Sequence, residues 1–179
     1  MSLTRVILVM NLLKELIYLR IRTADINDLD AVAQVEAACF SPAEAATREE
    51  FAARLTYYPK HFWLLFDGNK LIAFADGMVT DAADLEDAMY ADASMHNANG
   101  AWQMIFGLNT PPEYRKRGCA GQLVRRIIDN AREQGRSGVV LTCKEHLLKY
   151  YASFGFIDEG ISAKSTHGGA VWHQMRIRL

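Results

Sequence analysis

The segment Arg-Lys-Arg-Gly-Cys-Ala-Gly at residues 115–121 combines residue types that could bind a phosphorylated anion. Three basic side chains come first, and Gly118 and Gly121 let the backbone approach a bulky group closely. The segment runs into a stretch with helical spacing, and the free N–H groups and dipole of a helix N-terminus favour negative charge. We predict that this segment, the anion-binding loop, holds a pyrophosphate; a solvated basic turn before a surface helix is the alternative.

The loop differs from two common nucleotide-binding motifs. It lacks the GxxxxGK[ST] spacing of a Walker A loop, and it lacks the G-x-G-x-x-G fingerprint with an acidic residue about 20 positions later. No residues elsewhere have metal-ligand spacing, so we predict no metal. The three cysteines, Cys39, Cys119 and Cys143, form neither a CxxC pair nor a disulfide framework, which indicates a reducing, cytoplasmic location.

Hydropathy patterns predict the elements that position this loop. Thr47 followed by Glu50 is a capping box that opens a helix, and Asn27 or Asp28 can cap an earlier one. The strongest amphipathic pattern runs over residues 118–134, and a last helix is predicted at 145–153. The predicted strands cover residues 17–23, 62–66, 71–80, 100–110, 139–143, 156–162 and 171–179. These seven strands and four helices predict an α+β domain of α/β-type layers, with a mixed central sheet flanked by helices.

Length and charge limit the classes of protein to which the chain can belong. Its 179 residues fit one domain at 17–179, preceded by an N-terminal extension at 1–16. The net charge of −1, from 20 basic and 21 acidic residues, argues against nucleic acid held by bulk charge. The apolar run at residues 6–10 is too short for a membrane span, which takes about 20 apolar residues. We therefore expect neither nucleic acid nor a membrane as a partner.

The order of these features resembles the GCN5-related N-acetyltransferase (GNAT) superfamily. Its [RQ]-x-x-G-x-[GA] motif matches residues 115–120, and its Y-x-x-x-G-F signature matches Tyr151, Gly155 and Phe156. Within the superfamily the chain is similar to the arylalkylamine (serotonin) N-acetyltransferases and their bacterial relatives, at residues 36–40, 71–74 and 143–145. The resemblance implies a sheet splayed between its fourth and fifth strands, with acetyl-CoA bound in the splay.

The resemblance also assigns roles in cofactor binding. The backbone of Leu108, Asn109 and Thr110 would pair with the pantetheine arm, and a backbone N–H near Leu108 would stabilise the tetrahedral oxyanion. The amides of residues 117–121 would hold the pyrophosphate. The full predicted cofactor-binding set is Leu108, Asn109, Thr110, Arg115, Lys116, Arg117, Gly118, Cys119, Ala120 and Gly121.

Tyr151 is the predicted catalytic residue. Its phenol, with a pKa of about 10, can protonate a departing thiolate whose conjugate thiol has a pKa of about 8.5. A core aromatic residue on an amphipathic helix is the alternative interpretation. Tyr150 lies on another side of the same predicted helix, so we expect it to serve only in packing.

The predicted general base is where the chain departs from the arylalkylamine enzymes. Those enzymes carry two histidines in the fourth strand, and Met104 and Phe106 stand at the matching positions here. Three alternatives stay open: water relays the proton, another side chain takes it, or a weakly basic amine arrives neutral. The candidate side chains are Glu36, His96 and His167, each of which could equally be a surface or packing residue. The predicted substrate-binding set is Glu36, Phe40, Thr142 and His167. Further predicted lining residues are Pro42, Glu44, Tyr57, Tyr58 and Trp172.

Together these patterns predict an acyltransferase that moves an acetyl group from acetyl-CoA to a small, aromatic or apolar primary amine, by direct attack in a ternary complex. Two alternatives remain open. The acceptor could be a protein or peptide amine, contacted by the acidic residues of 81–92, or the chain could bind acyl-CoA without turnover. Many members of the superfamily dimerise, and the sequence leaves a homodimer open.

Overall fold

The computed structural model describes residues 19–179. The predicted extension at residues 1–16, and the beginning of the first predicted strand, lie outside the described residues. Within the described range, none of the helices has the length and apolar character needed to cross a membrane.

Residues 19–179 form nine strands and five α-helices, joined by short 3₁₀ turns. The strands are β1 (Leu19–Thr23), β2 (Phe62–Asp67), β3 (Lys70–Asp76), β4 (Val79–Thr80), β5 (Trp102–Ile105), β6 (Gly107–Asn109), β7 (Gly138–Cys143), β8 (Ile157–Ile161) and β9 (His173–Arg178). The helices are α1 (Leu29–Cys39), α2 (Arg48–Tyr57), α3 (Ala88–Ala91), α4 (Cys119–Glu133) and α5 (Leu148–Ala152).

Local capping signals explain where the first two helices begin. The side chains of Thr47 and Glu50 form the predicted capping box at the start of α2. Asp28, one of the two predicted caps, is the N-cap residue of α1, but its side chain makes no capping hydrogen bond to that helix. Its carboxylate instead forms a reciprocal capping box with Asp25 on the 3₁₀ turn Ile26–Asp28, which precedes α1.

Two of the seven predicted strands are interrupted, which accounts for the count of nine among residues 19–179. The strand predicted at 71–80 breaks at Gly77, where a Cβ atom would collide with the backbone carbonyl of Met104, so the chain can make this close approach only with glycine. The strand predicted at 100–110 breaks at Phe106, between β5 and β6.

The break at Phe106 produces the predicted splay. Before it, β5 pairs in parallel with β7, from Trp102 opposite Gly138 to Ile105 opposite Leu141. After it, β6 pairs with β3 in the other sheet and leaves the end of β7 without β6 beside it. The sheet orders are β1-β2-β3-β6 and β4-β5-β7-β9-β8. The fourth and fifth predicted strands therefore separate, as expected.

An apolar core lies on each face of the layer that the two sheets form. Alternate residues of β2 supply the two cores, so Leu64 packs with the side chains of α1 and α2, and Leu65 packs with those of α4 and α5. This alternation is the period of a strand buried on both faces. The layered α+β arrangement holds β6, β7 and the start of α4 in fixed positions around the splay.

Candidate active site

A cleft of about 600 Å³ opens where β6 and β7 separate. Eight of the ten predicted cofactor-binding residues line it, and the other two do not: Asn109 is fully buried opposite Phe74 of β3, and the Arg117 guanidinium lies 5.3 Å from the centre of the Tyr114 ring. The lining residues are Cys39, Phe40, Glu44, Leu108, Thr110, Tyr114, Arg115, Lys116, Gly118, Cys119, Ala120, Gly121, Lys144, His146, Leu147, Tyr150, Tyr151 and Trp172.

The anion-binding loop presents free amides at the start of α4. Gly118 is the N-cap residue, with φ of 79° in the left-handed region, and Lys116 also has a positive φ of 61°. The first hydrogen bond across a full helical turn runs from the Gln122 N–H to the Gly118 carbonyl, so the amides of residues 119–121 have no such partner. A Cβ atom on Gly118 would meet no heavy atom within 4 Å. The loop thus leaves open space directly in front of the helix N-terminus.

Tyr151 lies on α5 and forms part of the cleft wall. Its side chain is buried. Burial, together with nearby Cys143 and Tyr150, raises the pKa of the phenol, which keeps it protonated. Tyr150 was predicted to serve only in packing, and the structure differs from that prediction. It also lines the cleft, with its ring centre 5.2 Å from that of Tyr151, because the helix here is a single short turn.

A second, smaller cavity of about 60 Å³ adjoins the cleft, with which it shares Phe40, Glu44 and Trp172. We call it the inner cavity. All four residues of the predicted substrate-binding set, Glu36, Phe40, Thr142 and His167, line it. Its full lining is Glu36, Phe40, Glu44, Ala46, Glu50, Arg54, Asp76, Tyr90, Phe106, Gly107, Thr142, His167 and Trp172.

Glu36 is a buried carboxyl group in the wall of this cavity. Its Oε1 accepts a hydrogen bond of 2.9 Å from the Ala46 N–H, and its Oε2 is buried without a partner in the described part of the chain. Burial, reinforced by Asp76 and opposed by the Ala46 N–H, raises the pKa of Glu36 to about 7. A carboxyl group with that pKa can accept a proton near neutral pH.

Arg54 and Asp76 form a buried ion pair beside Glu36. Arg54 Nη1 donates to Asp76 Oδ2 at 3.0 Å, with side chains 4% and 1% exposed, and Arg54 Nη2 donates to the Tyr90 carbonyl at 2.8 Å. Burial, the largest single influence, would lower the pKa of Arg54, but Asp76, Tyr58 and Glu50 together outweigh it and raise that pKa, so the guanidinium stays charged. The sequence analysis missed both residues. The signal was a charge at the end of an apolar strand, Asp76, and another on the buried face of α2.

The two other candidate bases lie in different surroundings. His167 lines the inner cavity, where its Nε2 lies 2.9 Å from the Glu44 carbonyl and its ring stacks on Tyr90 at 5.0 Å. His96 accepts a hydrogen bond from the Val79 N–H at Nδ1 and packs against Tyr58, outside the linings of the cleft and the inner cavity. The geometry therefore favours Glu36 and His167 over His96.

The remaining aromatic and substituted positions divide between wall and core. Phe106 lines the inner cavity, with its ring centre 4.8 Å from that of Tyr90, whereas Met104 is fully buried in the core. Tyr58 is also in the core, and Tyr57 is 56% exposed. Both were predicted to line the substrate pocket, and neither lines the inner cavity. Pro42 is likewise outside both linings. Among residues 19–179, no group of three or more His, Cys, Asp and Glu side chains could hold a metal ion.

Known proteins resemble this chain in sequence and in structure. The chain matches the acetyltransferase (GNAT) domain family over residues 20–157, and it belongs to that family. A probable glucosamine 6-phosphate N-acetyltransferase 2 of Oryza sativa subsp. japonica is 40% identical over 47 residues, which is 26% of this chain and 28% of that protein.

Two solved structures have the same fold. The loading GNATL domain of CurA from Lyngbya majuscula superposes with a TM-score of 0.78 at 16% identity, covering 90% of this chain and 98% of that one. The GphF GNAT-like decarboxylase in complex with isobutyryl-CoA superposes with a TM-score of 0.76 at 21% identity, covering 89% and 98%. The predicted superfamily, fold and coenzyme A class of co-substrate are thus confirmed. The narrower resemblance to arylalkylamine enzymes stays a prediction.

Proposed function

We propose that this protein transfers the acetyl group of acetyl-CoA to the primary amine of a small molecule, by direct attack in a ternary complex. The observation that carries the proposal is the contact between two spaces of different chemistry. The cleft has the anion-binding loop and Tyr151 in its wall, and the inner cavity has the buried carboxyl of Glu36. Phe40, Glu44 and Trp172 belong to both walls, so donor and acceptor can meet between them.

On the donor side, the free amides at the start of α4 would bind the pyrophosphate, as helix N-termini bind anions. The strand β6 is hydrogen-bonded to β3 on one edge, and its other edge faces the splay. The backbone from Leu108 to Thr110 is therefore available for an extended pantetheine arm, which would bring the thioester toward Tyr151. A backbone N–H near Leu108 would stabilise the oxyanion.

On the acceptor side, a simple primary amine is an ammonium ion at neutral pH, and it must lose a proton before it can attack. Glu36, with a pKa of about 7, takes that proton. The amine nitrogen then attacks the thioester carbonyl, the C–N bond forms, and the C–S bond breaks. Tyr151 donates its proton to the departing thiolate, and the nitrogen of the new amide loses its second proton, which returns to Tyr151 through solvent while Glu36 releases its own proton to solvent. The free coenzyme A and the amide are the products.

The test follows free-thiol release from acetyl-CoA over a broad panel of primary amines, with mass detection of the acetylated product. Turnover of at least one small amine supports the proposal. If acetyl-CoA binds but no small amine is acetylated, the proposal is wrong, and peptides with free amino termini then test the peptide alternative. Binding without turnover of any amine would leave the chain as an acyl-CoA-binding module.

A further inference from the structure

The inner cavity has an unbalanced set of charges. Four carboxyl groups line it, those of Glu36, Glu44, Glu50 and Asp76, against one guanidinium, that of Arg54. Arg54 is already bound to Asp76. Glu44 is paired with Lys144 at 2.7 Å. After these pairings, the carboxyl groups of Glu36 and Glu50 remain without an ion-pair partner within 4 Å in the described part of the chain.

Buried acceptor atoms make the same point independently of the charge count. Glu36 Oε2 and Asp76 Oδ1 are both buried without a hydrogen-bond partner among residues 19–179, and their side chains are almost fully buried. An ionised carboxylate only accepts hydrogen bonds, so the group that satisfies it must be a donor. An ammonium group brings three donors and a positive charge.

The rest of the wall also favours a cation. The rings of Tyr90 and Phe106 are tilted by 46° with their centres 4.8 Å apart in the lining, and Phe40 and Trp172 complete the aromatic part of it. Aromatic faces attract positive charge, and since Phe106 and Trp172 already face Arg54 and Lys144, Phe40 is the ring that remains for the ammonium. The volume of about 60 Å³ holds a group the size of a few water molecules, so it can take the ammonium and its nearest carbon atoms.

We propose that the inner cavity selects its amine by charge. It binds an ammonium group whose neighbouring atoms are neutral or cationic, and it excludes amines that carry a carboxylate or phosphate a few bonds away. This inference rests on the proposed function, since it names the class of acceptor for the same site. It also predicts a preference opposite to that implied by the name of the rice relative, whose probable substrate carries a phosphate.

The test measures binding of three four-carbon amines to the CoA-saturated protein by calorimetry: butylamine, putrescine and 4-aminobutyrate. We expect butylamine and putrescine to bind, and 4-aminobutyrate to bind at least ~10-fold more weakly because its carboxylate is repelled by the cavity. The titrations use low ionic strength, since salt screens the interactions of exposed charges. Equal or tighter binding of 4-aminobutyrate, or no binding of any of the three, overturns the inference. Glucosamine and glucosamine 6-phosphate provide a second matched pair, with the same expected order.

A substitution at Glu50 removes one negative charge from the cavity wall without removing a contact that stabilises the fold. Glu50→Gln keeps the capping hydrogen bond from the Thr47 N–H, because glutamine also serves in a capping box. We expect Glu50→Gln to reduce the ratio of the affinity for putrescine to the affinity for 4-aminobutyrate several-fold. Glu49→Gln, on the exposed side of the same helical turn, is the control and should leave the ratio unchanged. If the two variants behave alike, charge selection at the cavity is wrong. Amine binding with no turnover would refute the proposed function and leave this inference standing.

Discussion

Glu44 and Lys144 form an ion pair of 2.7 Å that joins the connection between α1 and α2 to the residue that follows β7. The Lys144 ammonium also lies 5.6 Å from the centre of the Trp172 ring, and the Glu44 carbonyl lies 2.9 Å from His167 Nε2. Since Glu44 and Trp172 belong to both the cleft and the inner cavity, this pair lies at the border between the two spaces.

We expect Lys144→Met to raise the KM for the amine about 5-fold or more, while the melting temperature falls by no more than a few degrees. Partly exposed ion pairs contribute at most about 1 kcal/mol to stability, so a large effect on KM reflects positioning. Arg132→Met, which removes an exposed pair with Asp129 on α4, is the control and should change neither quantity. Equal KM values in wild type and Lys144→Met would show that the border does not depend on this pair.

Tyr151→Phe tests the general acid. The substitution removes one oxygen atom and keeps the buried ring, so it should leave the fold and acetyl-CoA binding intact. We expect kcat to fall by about 10²–10⁴, the usual contribution of a positioned acid. Tyr150→Phe is the matched control on the same turn and in the same cleft, and it should retain most of the rate. Full activity in Tyr151→Phe would exclude the phenol as the proton donor.

Glu36→Gln tests whether the buried carboxyl serves activity at the expense of stability. Its pKa is raised from 4.5 to about 7, so Glu36 binds its proton more tightly in the folded protein than in the unfolded chain. The contribution of Glu36 to folded stability is therefore fully present below about pH 4.5 and is lost as the pH rises through about 7.

We expect Glu36→Gln to be more stable than wild type at pH 8 by on the order of 1–3 kcal/mol, and to lose this advantage at pH 5. We also expect amine acetylation by wild type to rise with pH through about 7, and the variant to have little activity. Melting curves and rate profiles across this pH range are the measurements. A variant that is active with an unchanged pH profile would transfer the role of base to His167.

The sequence contained the parts of this site that are built locally. The anion-binding loop, the capping box of Thr47 and Glu50, and the Tyr151 signature each depend on residues close together in the chain, where spacing determines geometry. The inner cavity does not. Arg54 and Asp76 are 22 positions apart, and only the packing of α2 on β3 brings them together. Asp76 ends an apolar strand and Arg54 lies on the buried face of α2, but the sequence does not show that each is the partner of the other.

The interruption at Phe106 shows the same limit. The apolar run at 100–110 predicts one strand, because pattern alone does not tell which sheet a strand joins. The structure divides it, since β5 pairs with β7 and β6 pairs with β3. The predicted splay therefore arises from tertiary pairing, and the residue that stands where the arylalkylamine enzymes have a histidine lies at the point of division.

Gly118→Ala tests the anion-binding loop, and Gly135→Ala provides an unusually close control. Both glycines have positive φ, 79° and 67°, and at both a Cβ atom would meet no heavy atom within 4 Å. They flank the same helix, α4, at its two ends. Each substitution therefore carries the same backbone cost, about 1 kcal/mol for a side chain in the left-handed region, and the two melting temperatures should fall by similar amounts.

Of these two glycines, Gly118 lines the cleft in which the pyrophosphate is expected, and Gly135 does not. The new methyl group would occupy that space, so we expect Gly118→Ala to weaken acetyl-CoA binding by about 10-fold or more. Gly135→Ala should leave the affinity for acetyl-CoA unchanged. Calorimetric titration of both variants measures the difference, and inorganic pyrophosphate used as a competitor checks that the loss belongs to the phosphate end of the cofactor. Equal affinities in the two variants would mean that the cofactor does not approach the backbone at the start of α4.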